Sequence, residues 1–273
     1  MELPSNAPQV IEYSCNICGS RNRLESQYFH RELAACRKCK ANARFRGIIH
    51  VLGNLLGQDE GIPLKKWPRH KHIWGIGMSD WDGYANLLRR KFSYVNTFYD
   101  RRPQLDIMNL TEEHFEKYDF VISTDVFEHI LAPVQRGFDN LFRLLKPGGH
   151  LIFSVPYTRI AHTVEHFPGL ADYEILEFRG EKILVNREAS GHLQVYGNLV
   201  FHGGKGTTLE MRRFCESDVL NQLAQSGFED IQVYDKPWLS IGYYWPELKT
   251  SYPDVPLLYG YILSARRPVL RSV

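Results

Sequence analysis

The 273-residue chain is poor in cysteine, with five in all, and has no excess of one charge: 33 Lys and Arg against 31 Asp and Glu leave a formal net charge of +2. So even a balance excludes a surface that tracks a phosphate backbone over its whole extent, while leaving room for a local basic patch. No run approaches the ~18 apolar residues that a membrane-spanning helix needs. The opening Met1-Glu-Leu-Pro-Ser-Asn-Ala-Pro8 has neither the basic nor the apolar region of a secretory leader. Internal repeats and low-complexity tracts are also missing. What remains is 44% hydrophobic and 23% charged, the balance of a globular protein, and the expected location is the cytoplasm.

Four of the five cysteines fall in two Cys-x-x-Cys pairs, Cys15/Cys18 and Cys36/Cys39. In a reducing compartment such spacing points to metal rather than to disulfides. Two knuckles, each turning both thiolates inward, give the four sulfurs that tetrahedral Zn²⁺ prefers, with the stretch between them suited to a small hairpin. Four sulfur ligands leave no open position, so the expected ion is structural. A redox role is disfavoured because thioredoxin-like chemistry uses one pair beside a βαβ unit. The fifth cysteine, Cys215, reads as a small buried side chain rather than a nucleophile.

Apolar residues at helical spacing from Ala41 to Leu56 predict a helix joining this ribbon to the rest, and Gly57 to Trp67, with Gly61 and Pro63, reads as linker. The expected division is a zinc ribbon with its helix over residues 1–57, a linker over 58–69 and a main domain over 70–273. Arg44 and Arg46 read as surface or inter-domain ion pairs, with substrate phosphate as the alternative. The main domain is organised around Tyr118 to Tyr157. There the apolar run Asp119-Phe-Val-Ile-Ser-Thr124 ends at Asp125 and is followed by Val126-Phe-Glu-His-Ile130. A helix-period segment from Val134 to Leu145, the breaker Lys146-Pro-Gly-Gly149 and a second apolar run, His150 to Val155, complete the stretch. Two buried strands around one amphipathic helix make a βαβ crossover, and open parallel sheets bind ligands beyond the carboxyl ends of such strands. That rule puts Asp125, Glu128 and His129 where chemistry belongs.

The same stretch, from Tyr118-Asp-Phe-Val-Ile-Ser-Thr-Asp-Val-Phe-Glu-His-Ile130 through Leu-Lys-Pro-Gly-Gly-His-Leu-Ile-Phe-Ser-Val-Pro156, resembles the fourth-strand to fifth-strand region of class I S-adenosylmethionine-dependent methyltransferases. The resemblance extends over roughly residues 70 to 265. It implies an α/β, Rossmann-like, mostly parallel seven-stranded sheet with helices on both faces. His72 to Ile76 is then the first strand, Phe92 to Phe98 the second and Leu105-Asp-Ile-Met108 the third-strand motif. A helix with its N-cap at Ser217, a strand from Asp230 to Tyr234 and another from Leu258 to Ala265 make the antiparallel edge. Residues 157–208 form an insertion over the ligand edge, where substrate specificity would be built.

For the cofactor, S-adenosylmethionine, the resemblance implies contacts from the first turn through Gly75, Gly77 and Ser79. Asp100 would meet the ribose hydroxyls, Asp106 and Ile107 the adenine, and Asp125 the sulfonium or the nucleophile. The turn departs from the family pattern. Gly75 stands where an acidic residue is usual, and Ser79 and Trp81 replace glycines. Candidate catalytic residues are His202, His129 and Asp125. The acceptor is expected to be a small molecule or carbohydrate-like group. One rival is an RNA methyltransferase using Cys36-Arg-Lys-Cys39-Lys40 with Arg44 and Arg46 as a basic patch, although the Asn/Asp-Pro-Pro-Tyr motif of base-amine chemistry is missing. Another is a non-catalytic binding module with a degenerate loop. Oligomeric state is not legible.

Overall fold

The structure, a computed structural model, describes residues 9–32, 36–170, 172–202, 208–245, 248–249 and 257–269. At the amino end, β1 (Val10–Ser14) and β2 (Arg21–Glu25) form an antiparallel hairpin, followed by helix α1 (Ala43–Leu55). Asn42 caps that helix by accepting a hydrogen bond from the Phe45 amide at 2.8 Å. The buried face of α1, Ile48, Ile49, Val51 and Leu52, shares one core with the cysteines and with Phe120 and Ile152 of the main sheet, so ribbon and sheet are packed together.

The main sheet begins with β3 (Trp74–Met78), α2 (Asp82–Lys91), β4 (Ser93–Thr97), β5 (Tyr118–Thr124), α3 (Gln135–Leu144) and β6 (Leu145–Ser154). β5 is buried from Phe120 to Thr124 because it is covered on both faces, as a central parallel strand must be. After β6 come β7 (Tyr157–Thr158), β8 (Val164–Glu165), β9 (Asp172–Phe178), β10 (Glu181–Arg187), β11 (Leu193–Tyr196), β12 (Phe201–His202), β13 (Thr208–Leu209) and β14 (Arg212–Cys215). Of these, β9, β10 and β11 make a separate antiparallel sheet. Helix α4 (Glu216–Gln225), β15 (Glu229–Tyr234), β16 (Leu248–Lys249), β17 (Leu257–Leu258) and β18 (Ile262–Arg266) complete the chain.

The main sheet runs in the order β15-β18-β6-β5-β3-β4, with β18 antiparallel to both neighbours and β6, β5, β3 and β4 parallel. This is the expected methyltransferase-like α/β arrangement, with one correction: among the described residues the sheet has six strands, not seven. The third-strand motif at Leu105–Met108 is not a strand. A single bridge between Phe98 and Gln104 approaches pairing. The chain then turns, because the Asp106 carboxylate accepts from the Met108 amide at 2.9 Å and from Asn109 Nδ2 at 2.8 Å. A side chain bonded to the backbone two residues on forms a turn in place of a ladder. Other boundaries also move. The first strand starts at Trp74 rather than His72, Ser217 lies inside α4 instead of capping it, and the last strand is interrupted before Ile262. No described helix is long and apolar enough to cross a membrane.

Candidate functional site

The four cysteines converge. Cys15 and Cys39 Sγ atoms are 3.7 Å apart, Cys18 and Cys36 are 3.6 Å apart, and all four sulfurs lie within 4.8 Å of one another. Bonds of ~2.3 Å to a tetrahedral ion would set neighbouring sulfurs about 3.8 Å apart, so the donor set fits zinc. Each knuckle closes by a backbone turn, Gly19 to Cys15 at 2.7 Å and Lys40 to Cys36 at 2.9 Å, with Gly19 and Lys40 both at positive φ. Ser20 Oγ, 2.9 Å from Cys36 Sγ, and Asn22 Nδ2, 3.6 Å from it, support that sulfur from outside.

At the carboxyl end of β3 the loop is held by side chains rather than by glycine freedom. Ser79 has φ +58°, the left-handed conformation that glycine would adopt without cost. Asp80, 6% exposed, receives the Tyr84 hydroxyl at 2.7 Å and the Tyr94 hydroxyl in a shorter bond, and its amide donates to Asn96 Oδ1 at 2.9 Å. Burial pushes the Asp80 carboxyl up to about 7, against the opposing effect of the two hydroxyls. The predicted cofactor glycines serve this packing. A Cβ on Gly77 would meet Asp80 Oδ2 and the Tyr94 hydroxyl at 2.0 Å, and one on Gly75 would meet the Phe120 ring at 2.1 Å. Trp81 stacks on Phe45 of α1 at 4.8 Å and 2°. Its side chain does not cap α2, which leaves the first amides of that helix without a side-chain acceptor from Trp81. Asp100 is exposed just beyond β4, Asp106 is engaged in its own turn, and buried Ile107 gives its carbonyl to Asn140 Nδ2 at 2.7 Å.

Asp125, at the end of β5, is gripped by the ribbon. Arg31 Nη1 and Nη2 donate to its two oxygens at 2.7 and 2.6 Å, Arg44 Nε lies 3.2 Å from Oδ2, and Ser154 Oγ donates at 3.0 Å. Burial alone would raise this carboxyl, but the Arg31 and Arg44 guanidiniums hold it well below the usual carboxylate range. Arg31 also donates to the Gly260 carbonyl at 2.9 Å, and Glu32 binds both arginines. No sequence signal marked Arg31, whose partner lies far along the chain.

Glu128 and His129 do not open a helix. They lie in a 3₁₀ turn, Phe127–His129, that Arg212 clamps by donating to the Phe127 and Ile130 carbonyls, each at 2.7 Å. The Glu128 carbonyl accepts from the Met211 amide at 2.7 Å, so the segment following the insertion is laid directly over the turn. Glu128 is 3% exposed, its Oε2 has no hydrogen-bond partner among the described residues, and burial followed by the nearby Asp125 charge raises its carboxyl well above the ordinary value. His129 Nδ1 donates to the Leu209 carbonyl at 2.8 Å, which leaves Nε2 as the lone-pair nitrogen, 3.7 Å from Glu128 Oε1.

The structure brings His129 and His202 together, with ring centroids 5.7 Å apart. It adds one residue that the sequence reading left out of the site, Glu210. Glu210 takes His202 Nε2 at 2.5 Å on one oxygen and His166 Nε2 at 2.8 Å on the other. Burial lowers His129 below an ordinary imidazole, whereas the Glu210 hydrogen bond raises His202. Gly203 to Gly206, which follow His202, lie outside the described residues.

Several solved structures are similar to this chain. A 1,6-didemethyltoxoflavin-N1-methyltransferase from Burkholderia thailandensis is 12% identical, with 83% of this chain and 78% of that one covered at a TM-score of 0.41. An S-adenosylmethionine-dependent methyltransferase from Mesorhizobium loti is 14% identical, with 83% and 99% covered at 0.39. The phosphoethanolamine N-methyltransferase 2 of Haemonchus contortus is 10% identical, with 81% and 52% covered at 0.42. No curated protein matches. A family model described as a methyltransferase domain matches residues 63–198, which include the glycine loop, β5 with its Glu-His turn, and the start of the insertion. The chain therefore carries a methyltransferase domain over residues 63–198.

Proposed function

We propose that the protein methylates a small-molecule or carbohydrate-like acceptor, that its cysteine cluster holds one structural Zn²⁺, and that the ribbon walls the active site. S-adenosylmethionine would lie over the ends of β3 and β4. Its carboxylate would meet the first amides of α2 beside Ser79, and its ribose would meet Asp100. Asp106 and Ile107 would border the adenine, while Gly75 and Gly77 act by letting the loop close. Bound there, the cofactor supplies a methyl group already activated on sulfur, leaving the chain to orient the acceptor and remove its proton.

The observation that carries this reading is the pair of imidazoles beside the end of β5 with opposite shifts. Neighbouring groups pushed apart in this way divide into base and acid. His129, neutral at neutral pH with Nε2 free of its own hydrogen, is the base. His202, raised by its Glu210 hydrogen bond, lies beside it and orients the acceptor. Asp125, neutralised by Arg31 and Arg44, fixes the ribbon against the sheet rather than facing the nucleophile. Calorimetry with S-adenosylhomocysteine tests the reading: micromolar affinity that weakens about tenfold in Asp100→Ala supports it. Silence at millimolar ligand would leave only a scaffold.

A second reading, methylation of RNA, is favoured by a concavity of about 450 Å³ on the ribbon lined by Arg21, Arg23 and Arg37 with Glu12 and Asn22. A steep salt dependence of RNA binding supports it, and no binding at low salt removes it.

A further inference from the structure

A second cavity, of about 230 Å³, opens beside β15 and β18 and is lined by Asp235, Lys236, Tyr243, Tyr244, Trp245 and Tyr261 among others. Its position follows from the register. Asp235 directly follows Tyr234, the last residue of β15. Tyr261 directly precedes Ile262, which pairs with Tyr234. The next residue, Leu263, pairs with Phe153 near the end of β6. The cavity is therefore at the same edge of the sheet as Asp125 and Ser154, displaced toward β15. Gly260, one residue from Tyr261, accepts the Arg31 hydrogen bond, so one backbone segment joins cavity and active site.

The aromatic walls are fixed in advance. Trp245 and Tyr261 stack at 5.5 Å and 27°, and Tyr243 meets Trp245 edge-on at 4.9 Å and 75°. The Tyr243 hydroxyl donates to the Tyr234 carbonyl at 2.7 Å, and Tyr244 packs edge-on against Phe29 of the ribbon at 5.7 Å. A site whose rings need no rearrangement saves the ordering cost of binding.

Aromatic faces attract either a cation or the weakly polarised C–H groups on the apolar side of a sugar ring. The charged groups decide between them. Asp235 and Lys236 are both exposed beside the cavity, and the ammonium offsets the carboxylate's attraction for a cationic ligand. A group that only accepts next to one that only donates matches vicinal hydroxyls, which do both. The volume lies below the ~300–1,000 Å³ of drug-sized pockets, which limits the occupant to about one ring. We propose that this cavity is a saccharide subsite that holds one pyranose ring of the acceptor, an assignment that rests on the methyl-transfer reading above.

Saturation-transfer NMR on the full chain tests it, with the methyl glycosides of glucose, galactose, mannose and rhamnose as probes and tetramethylammonium as the cationic control. The expected result is transfer to the ring C–H protons of at least one glycoside, reduced about tenfold in Tyr261→Ala and about fivefold in Asp235→Asn. S-adenosylhomocysteine affinity stays unchanged in both variants. Asp235 is exposed, so its variant remains informative if Tyr261→Ala fails to fold. Absence of transfer to all four glycosides, undiminished transfer in Asp235→Asn, or displacement of the glycoside by tetramethylammonium at lower concentration would overturn the assignment. Loss of S-adenosylhomocysteine binding by the unmodified chain would overturn methyl transfer instead, so the two failures are distinguishable.

Discussion

Asp80 and Asp125 follow neighbouring strands, β3 and β5, and close on the same edge of one sheet, yet their surroundings are opposite. Asp80 is held by two neutral tyrosine hydroxyls and is pushed up to about 7; Asp125 is held by two guanidiniums and sits below the usual carboxylate range. The first is settled within the methyltransferase domain, where the hydroxyls hold a loop that carries Ser79 and Trp81 in place of two glycines. The second is settled by the ribbon, which brings Arg31 and Arg44 to the end of β5. The difference shows that the amino-terminal unit is part of the site's electrostatics.

The largest effect expected is from removing the ribbon's metal ligands. Cys15→Ser with Cys36→Ser should abolish zinc binding, worth on the order of 10 kcal/mol in isolated fingers, and release Arg31 from Asp125. Elemental analysis and hydrogen exchange at residues 123–126 would check both parts. Next, Arg31→Met leaves Asp125 with one guanidinium and should cost ~3–5 kcal/mol by denaturant titration, as breaking a buried pair does. The sign is that of a depressed carboxyl: stability present above the unfolded value and lost as pH falls through the folded one. In Arg31→Met this acid loss should begin at higher pH.

Asp80→Asn tests the other side of the comparison. A carboxyl raised in the folded state contributes stability below its unfolded value of 3.8 and loses it as pH rises through about 7. The unmodified protein should therefore lose on the order of 2–4 kcal/mol over that window, while Asp80→Asn loses less and melts higher at alkaline pH. Smallest is Glu210→Gln, which keeps the hydrogen-bonding shape but removes the charge that raises His202. Once an acceptor is in hand, its rate should fall about ten- to a hundredfold, with the alkaline limb of the pH profile moved to lower pH. An unchanged profile would argue that Glu210 only packs.

How far the fold was legible follows from which forces act locally. The β5–α3–β6 unit was readable because apolar period and turn residues are properties of short windows. Leu105–Met108 was misread because an Asp turning its own backbone looks, in a four-residue window, like an Asp at a strand end. Cysteine spacing led directly to the cluster of four thiols, whereas Arg31 and Glu210 could not be found that way. Arg31 meets Asp125 only once the ribbon docks, and Glu210 meets His166 and His202 only once the insertion folds back over the 127–130 turn. Gly75 and Gly77 were read as cofactor contacts, whereas their immediate neighbours are Phe120, Asp80 and Tyr94.

The central claim is that the loop held around Asp80 receives the cofactor. Amide hydrogen exchange of the full chain with and without S-adenosylhomocysteine tests it most directly. The account predicts added protection at residues 79–84 and 98–101, with none in β9 to β11. Protection absent from both segments at saturating ligand would contradict it.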